Sequence, residues 1–265
     1  MTTMAYPSLS TRDIHVLEKI KDPESDPSAG VSIDRTLPAD PHVKDQSAYL
    51  QIVQQEKEII FSMQSLELQI AGLRPTTGAD AVEEYQTCIK SLDDLIETYP
   101  NYASARNNRA QALRRLYGDS MLLADAPPSP QALRKNAEKA ERMEAGRTVL
   151  ADLDRCVTLL SPDHPKASLS PQAAKTLSMA HTQRAAIYHT TSKQLASGCL
   201  LSVVESRKEA GWNKLEYEEA ASRDFAMGGR YGNEIAKGLA VSTNPTAKLC
   251  GQIVREAMKK EYGMA

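Results

Sequence analysis

Aromatic residues are scarce in this sequence: two Phe, one Trp and an aromatic share of 5%. Any core must therefore be aliphatic and rich in alanine, and 265 residues suffice to bury a sizeable one. Runs of Val and Ile are also few, which removes the usual material of strands. The four cysteines, Cys88, Cys156, Cys199 and Cys250, include no C-x-x-C pair. Neither a disulfide framework nor a zinc site is expected, and a reducing compartment fits. The net charge of −2 lacks the basic surplus of a general nucleic-acid binder. No apolar run approaches the roughly 18 residues of a membrane span, and Met1–Ser10 lacks the apolar centre of a secretory signal. These absences predict a cytoplasmic protein with neither a nucleic-acid nor a membrane partner.

What the chain has in quantity is Ala, Leu, Glu, Lys, Arg and Gln, the good helix formers, so the expected fold class is all-α. Its organising stretch is Asn101–Asp119, NYASARNNRAQALRRLYGD, bracketed by Pro100 and Gly118. Ala105, Ala110, Ala112, Leu113 and Leu116 supply small or apolar contacts there. Alanine lets helix backbones approach closely, so this helix should pack tightly on its neighbours.

Taken in order, Thr11–Lys21 can form a short helix, with Ile14, Leu17 and Ile20 on one side. Asp22–Pro41 carries four prolines among Asp, Ser and Gly and reads as a flexible linker. We therefore divide the chain into residues 1–44 (short helix and linker) and a helical domain, 45–265. Within it Asp45–Gly72 and Ala79–Tyr99 each hold the 3.6-residue period. Two insertions follow, at about 119–142 and 190–213, expected as loops that folding does not need. Glu144–Leu160, Gln172–His189 and Lys214–Met227 are helical, with Ser170 and Pro171 starting the second of these and Gly228–Gly229 stopping the third. Leu200–Val204 is apolar enough to pair or pack locally. Thr246–Tyr262, started by Asn244–Pro245, carries the stripe Leu249, Ile253, Val254 and Ala257, expected to cap the domain.

One small-large-small pattern recurs at i, i+4, i+7: Ala81–Tyr85–Cys88, Val149–Leu153–Cys156 and Ala221–Phe225–Gly228. Gly72, Ala110 and Ala185 take the close-approach position of the preceding helices. This is the pattern of a tetratricopeptide repeat array of three helix pairs, its period of about 34 residues roughly doubled by the insertions.

The segments SLELQIAGL, YASARNNRAQAL, LADLDRCVTL, QRAAIY, ASRDFAMGGRYGN and NPTAKLCGQIVREAM carry a closer likeness. In this order, after DIHVLEKIKDP and GVSID, the chain resembles the small tetratricopeptide repeat protein 36 family, the Asn244–Cys250 element being the most specific match. The resemblance implies a non-enzymatic adaptor, linked to Hsp70-type chaperones and to a regulatory role in tyrosine metabolism; no cofactor is expected. The insertions depart from the compact family pattern.

The residues expected to bind a protein or peptide partner lie on the central helix: Asn107, Asn108, Gln111, Arg114 and Arg115. They offer amide and guanidinium donors suited to peptide backbone and acidic side chains. The two-carboxylate clamp of chaperone-binding repeats would fall on Gln69, Leu73, Asn108, Met179 and Gln183, where only Asn108 matches. His181 and His189 read as ordinary helix residues, and no nucleophile–base arrangement is apparent.

Overall fold

Side-chain caps set where the helices begin. Asp45, Asp80, Ser170 and Asn213 each accept a backbone N–H from the first turn that follows. The structure is a computed structural model that divides the chain into Met1–Gly30 and Val31–Ala265. It describes residues 31–76, 78, 80–127, 131–164 and 167–262. The expected helix Thr11–Lys21 and the linker up to residue 30 lie outside them.

The described residues form eight α-helices: α1 (Gln46–Ile70), α2 (Ala81–Thr98), α3 (Ala103–Tyr117), α4 (Lys139–Leu160), α5 (Pro171–Ala196), α6 (Lys214–Arg230), α7 (Glu234–Thr243) and α8 (Pro245–Tyr262). Backbone pairing of strand type is confined, among them, to two isolated bridges. Each helix packs on its successor, and α3 also touches α5 across one face. The architecture is the expected all-α tetratricopeptide-like array of three pairs, α1–α2, α3–α4 and α5–α6.

Helix α3 stands between two parts of the core. Ala105, Ala112 and Leu116 join Ile52, Leu66 and Leu92 of the first pair. Ala103 and Ala110 join Leu150, Leu153 and Leu177 of the later helices. Ala110 and Ala185 are fully buried, as their close-approach positions require. Arg106 and Arg109 of α3 both reach the buried Asp152 of α4, and Arg109 also pairs with Asp93 of α2 at 2.6 Å.

Two glycine expectations need correction. Gly72 lies past the end of α1 at φ 71°, where a Cβ would meet open space, so it is a turn residue and no helix contact. Gly228–Gly229 does not stop α6, which continues to Arg230. A Cβ on Gly228 would lie 2.5 Å from Thr182 Oγ1, and one on Gly229 would lie 2.8 Å from Lys237 Cα. The two glycines are the seat on which α5 and α7 approach α6. Gly229→Ala should push α7 away and cost about 1–3 kcal/mol of stability, as overpacking does. An unchanged midpoint in urea would mean that α7 shifts without loss.

The insertions are also not what the sequence led us to expect. Helix α4 begins at Lys139 and α5 runs to Ala196, so each takes several residues assigned to an insertion. The remaining loops belong to the core. Met121, Leu122 and Leu123 of the first are almost completely buried. The two loops also pair with each other. Leu123 and Leu201 form an antiparallel bridge, flanked by Ala124 N–H to Leu200 C=O at 2.9 Å and Ser202 N–H to Leu122 C=O at 2.8 Å. The apolar Leu200–Val204 segment thus pairs, with a partner distant in sequence.

Residues 31–44, assigned to the linker, are fastened to the α4–α5 connection. Asp34 N–H donates to Leu169 C=O and Leu169 N–H to Ser32 C=O, each at 2.9 Å. His42 Nε2 lies 2.9 Å from the Leu159 carbonyl.

The capping role assigned to α8 is corrected too. Leu249, Ile253 and Val254 are 58%, 56% and 55% exposed. Helix α7 covers α6 instead, with Ala236 fully buried between them. A single residue, Asn244, separates α7 from α8, and the tight turn leaves the stripe uncovered.

Candidate functional site: the face shared by α1, α3 and α5

The first helices of the three pairs line a groove of about 870 Å³. Helix α1 contributes an apolar floor through Val53, Ile60 and Met63 and a polar rim through Lys57 and Gln64. Helix α3 brings Ser104, Asn107, Asn108 and Gln111, and α5 brings Gln172, Lys175 and Met179. A second recess of about 460 Å³ shares Met63, Glu67, Tyr85 and Gln111 with it and extends to Arg114, Arg115 and Asp119. The five residues singled out in the sequence thus line one continuous face.

Their side chains are committed unequally. Asn108 Nδ2 donates to Glu56 Oε1 at 2.8 Å, and the Asn107 side-chain oxygen accepts from Gln183 Nε2 at 2.8 Å. Arg114 grips Asp119 with two hydrogen bonds, 2.7 and 2.9 Å, and also donates to Gln183 at 3.2 Å. Arg115 holds Glu67 in the same two-bonded way, and Tyr85 OH donates to that carboxylate too. Four of the five therefore tie helices together. Gln111 is exposed and its amide is not used internally among the described residues, as is the case for Gln64 and Gln172. Of the clamp positions, Leu73 lies beyond α1 and 74% exposed, and Gln183 is buried beneath the groove.

Glu56 was missed in the sequence. It occupies the buried face of α1 between Ile52 and Met63, where a charged residue interrupts an apolar stripe, and that interruption was the signal. Its carboxylate accepts from Tyr102 OH at 2.6 Å and from Asn108, with Ser104 a further donor. Burial pushes its pKa above the ordinary 4.5, against those three hydrogen bonds, and the buried Asp40 nearby adds to the rise. A carboxyl raised in the folded state favours folding most below pH 4.5 and loses that advantage as pH rises through its folded value. Relative to Glu56→Gln, the wild type should therefore weaken as pH is raised through this window. Parallel urea melts of the two proteins from acid to neutral pH check this, and a gap moving the other way refutes it.

Comparison with known proteins agrees with this fold. Over 260 residues the chain is 36% identical to the L-tyrosine degradation gene cluster protein hmgX of Aspergillus fumigatus, covering 96% of this chain and 94% of that one. Over 251 residues it is 26% identical to the Tetratricopeptide repeat protein 36 homolog of Drosophila melanogaster, covering 94% of each. The chain belongs to the tetratricopeptide repeat protein 36 family. No family model matches the sequence, and no solved structure matches it.

Both relatives are covered over nearly their full length, so in this family member the insertions lie inside the aligned region and are not appendages. Beyond the groove, the family member buries an ionic cluster. His181 Nδ1 lies 2.9 Å from Asp224, whose carboxylate is also gripped by Arg184. His181 and Asp224 are both buried, and together with Arg184 they join α5 to α6. Among the described residues no helix is long and apolar enough to cross a membrane.

Proposed function

We propose that this protein is a non-catalytic adaptor that holds an extended segment of a partner protein in the α1–α3–α5 groove. The observation that carries the reading is the division of labour on that face. Paired side chains fix its shape, while Gln64, Gln111 and Gln172 stand exposed with free amides above an apolar floor. Amides that can both donate and accept suit the backbone of any extended chain, and Met63 and Met179 supply adaptable apolar contact. The name of its 36% identical relative, a protein of an L-tyrosine degradation gene cluster, favours a partner that acts in tyrosine breakdown. All four cysteines are free thiols, which supports a cytoplasmic setting.

The test is direct binding of the purified chain to each purified enzyme of tyrosine breakdown, followed by calorimetry. One enzyme should bind the wild type and lose most of its affinity for Gln64→Ala/Gln111→Ala/Gln172→Ala. That variant should melt like the wild type, because none of the three amides is used internally. Undiminished binding by the triple variant would remove the groove from the proposal.

A further inference from the structure

Among the described residues, the two ends of the repeat array are left open in complementary ways. At the first pair, α1 and α2 enclose a groove of about 860 Å³ on the side turned away from α3. Ile59, Leu66, Cys88 and Leu95 form its floor. Its charged lining residues are Glu58, Glu84 and Asp94, with no lysine or arginine among them. Asp93, one residue from that lining, points the opposite way and pairs with Arg109 of α3. The groove extends from Gln55 to Gln69 of α1, about 21 Å at 1.5 Å per residue.

At the other end, α8 presents Leu249, Ile253, Val254 and Met258, all exposed. These lie along about 14 Å of helix, short enough for the groove to enclose. Helix α8 carries Lys248, which pairs with Glu218 of α6, and beyond it Arg255, Lys259 and Lys260 against Glu256 and Glu261. It is therefore positive where the groove is negative. An exposed apolar stripe on a helix with a polar opposite face is the form that docks into a groove with an apolar floor and polar walls, here lined by Ser62, Ser65, Thr87 and Ser91. Because Asn244 alone links it to α7, α8 stays at the C-terminal end of its own array.

We propose that α8 of one copy docks in the α1–α2 groove of a second copy, giving head-to-tail self-association. The repeat makes this geometry natural, since each later pair already receives a helix from its predecessor: α2 packs on α3, and α4 on α5. Among the described residues the first pair has no predecessor, and α8 of a neighbour takes that place. The contact is heterologous, so each chain has one donor end and one acceptor end.

Sedimentation of the full chain over a concentration series should show a mass that rises above the monomer and falls back as salt screens the opposite charges. Leu249→Glu/Ile253→Glu should remain monomeric because its donor helix is spoiled. Glu84→Lys/Asp94→Lys should also remain monomeric because its groove is spoiled. Both variants change exposed or groove-lining positions, and far-UV dichroism matching the wild type verifies that they fold. Mixed together, they should form a dimer and nothing larger, because one supplies an intact groove and the other an intact helix. A wild type monomeric at every concentration overturns the proposal. So does a mixture that stays monomeric, which would mean a two-fold contact or none. Association that survives the groove variant, or α8 binding to anionic vesicles with no self-association in solution, also overturns it.

Discussion

Replacing Asp224 with alanine is expected to destabilise the protein by about 3–5 kcal/mol, the usual consequence of removing one partner from a buried ion pair. Asp224 accepts two hydrogen bonds from Arg184, both at 2.7 Å, and one from His181 at 2.9 Å. Arg184 continues to Asp154 of α4 at 2.7 Å, and Arg207 meets the same carboxylate at 2.6 Å. Arg207 in turn pairs with the fully buried Glu209, which Tyr188 OH also contacts. The cluster thus joins α4, α5, α6 and the loop between α5 and α6, and the alanine variant leaves the largely buried Arg184 with only the half-exposed Asp154. Burial pushes the Asp224 carboxyl up, but Arg184 and His181 outweigh it and hold the pKa below the ordinary 3.8. Its contribution is therefore complete above that value and lost as pH falls through the depressed folded value. Denaturant melts at neutral pH should show the full gap, and melts in strong acid a smaller one. A neutral-pH loss below about 1 kcal/mol would show that water replaces the carboxylate.

The second large effect concerns the loop after α3. Leu122→Ala should cost about 2–5 kcal/mol, as for other large-to-small changes in a packed core. Replacing Ser120–Ala126 by Gly and Ser should abolish cooperative unfolding. Loop length alone costs little; what is lost is apolar burial. Helix α4 has a glycine at 146, and a Cβ there would lie 3.0 Å from Leu122 Cδ2 and 3.4 Å from Met121 Cγ. The notch is where the loop inserts, beside Val149, Leu150 and Leu153. Retained two-state unfolding in the Gly/Ser variant would show that the helices close over the notch unaided.

Much of the array was legible in the sequence because its signals are local. Caps at Ser170 and Asn244, and Pro171 and Pro245 at the first helical position, act within one turn. Ala110, Val149, Leu153 and Ala221 repeat at helical spacing, and each is fully buried. The binding face was legible as a place but only partly as a set of side chains. Asn107, Asn108, Arg114 and Arg115 do line it, yet whether an Arg is free depends on whether Glu67 or Asp119 stands opposite. Nothing in the spacing of α3 reports that.

The sequence by itself determined the all-α class, the three helix pairs and the helix that carries the candidate groove, because helical periodicity and capping are properties of neighbouring residues. Tertiary structure decided the rest. It made core out of two loops by pairing Leu123 with Leu201, 78 positions apart by subtraction (201 − 123). It also turned Gly228–Gly229 from a helix stop into a packing seat, and left the stripe of α8 uncovered. Each outcome depends on what stands opposite in space. An apolar loop and an apolar helix stripe read alike along the chain, and only the packed fold shows that Leu122 has a notch to fill and Ile253 does not.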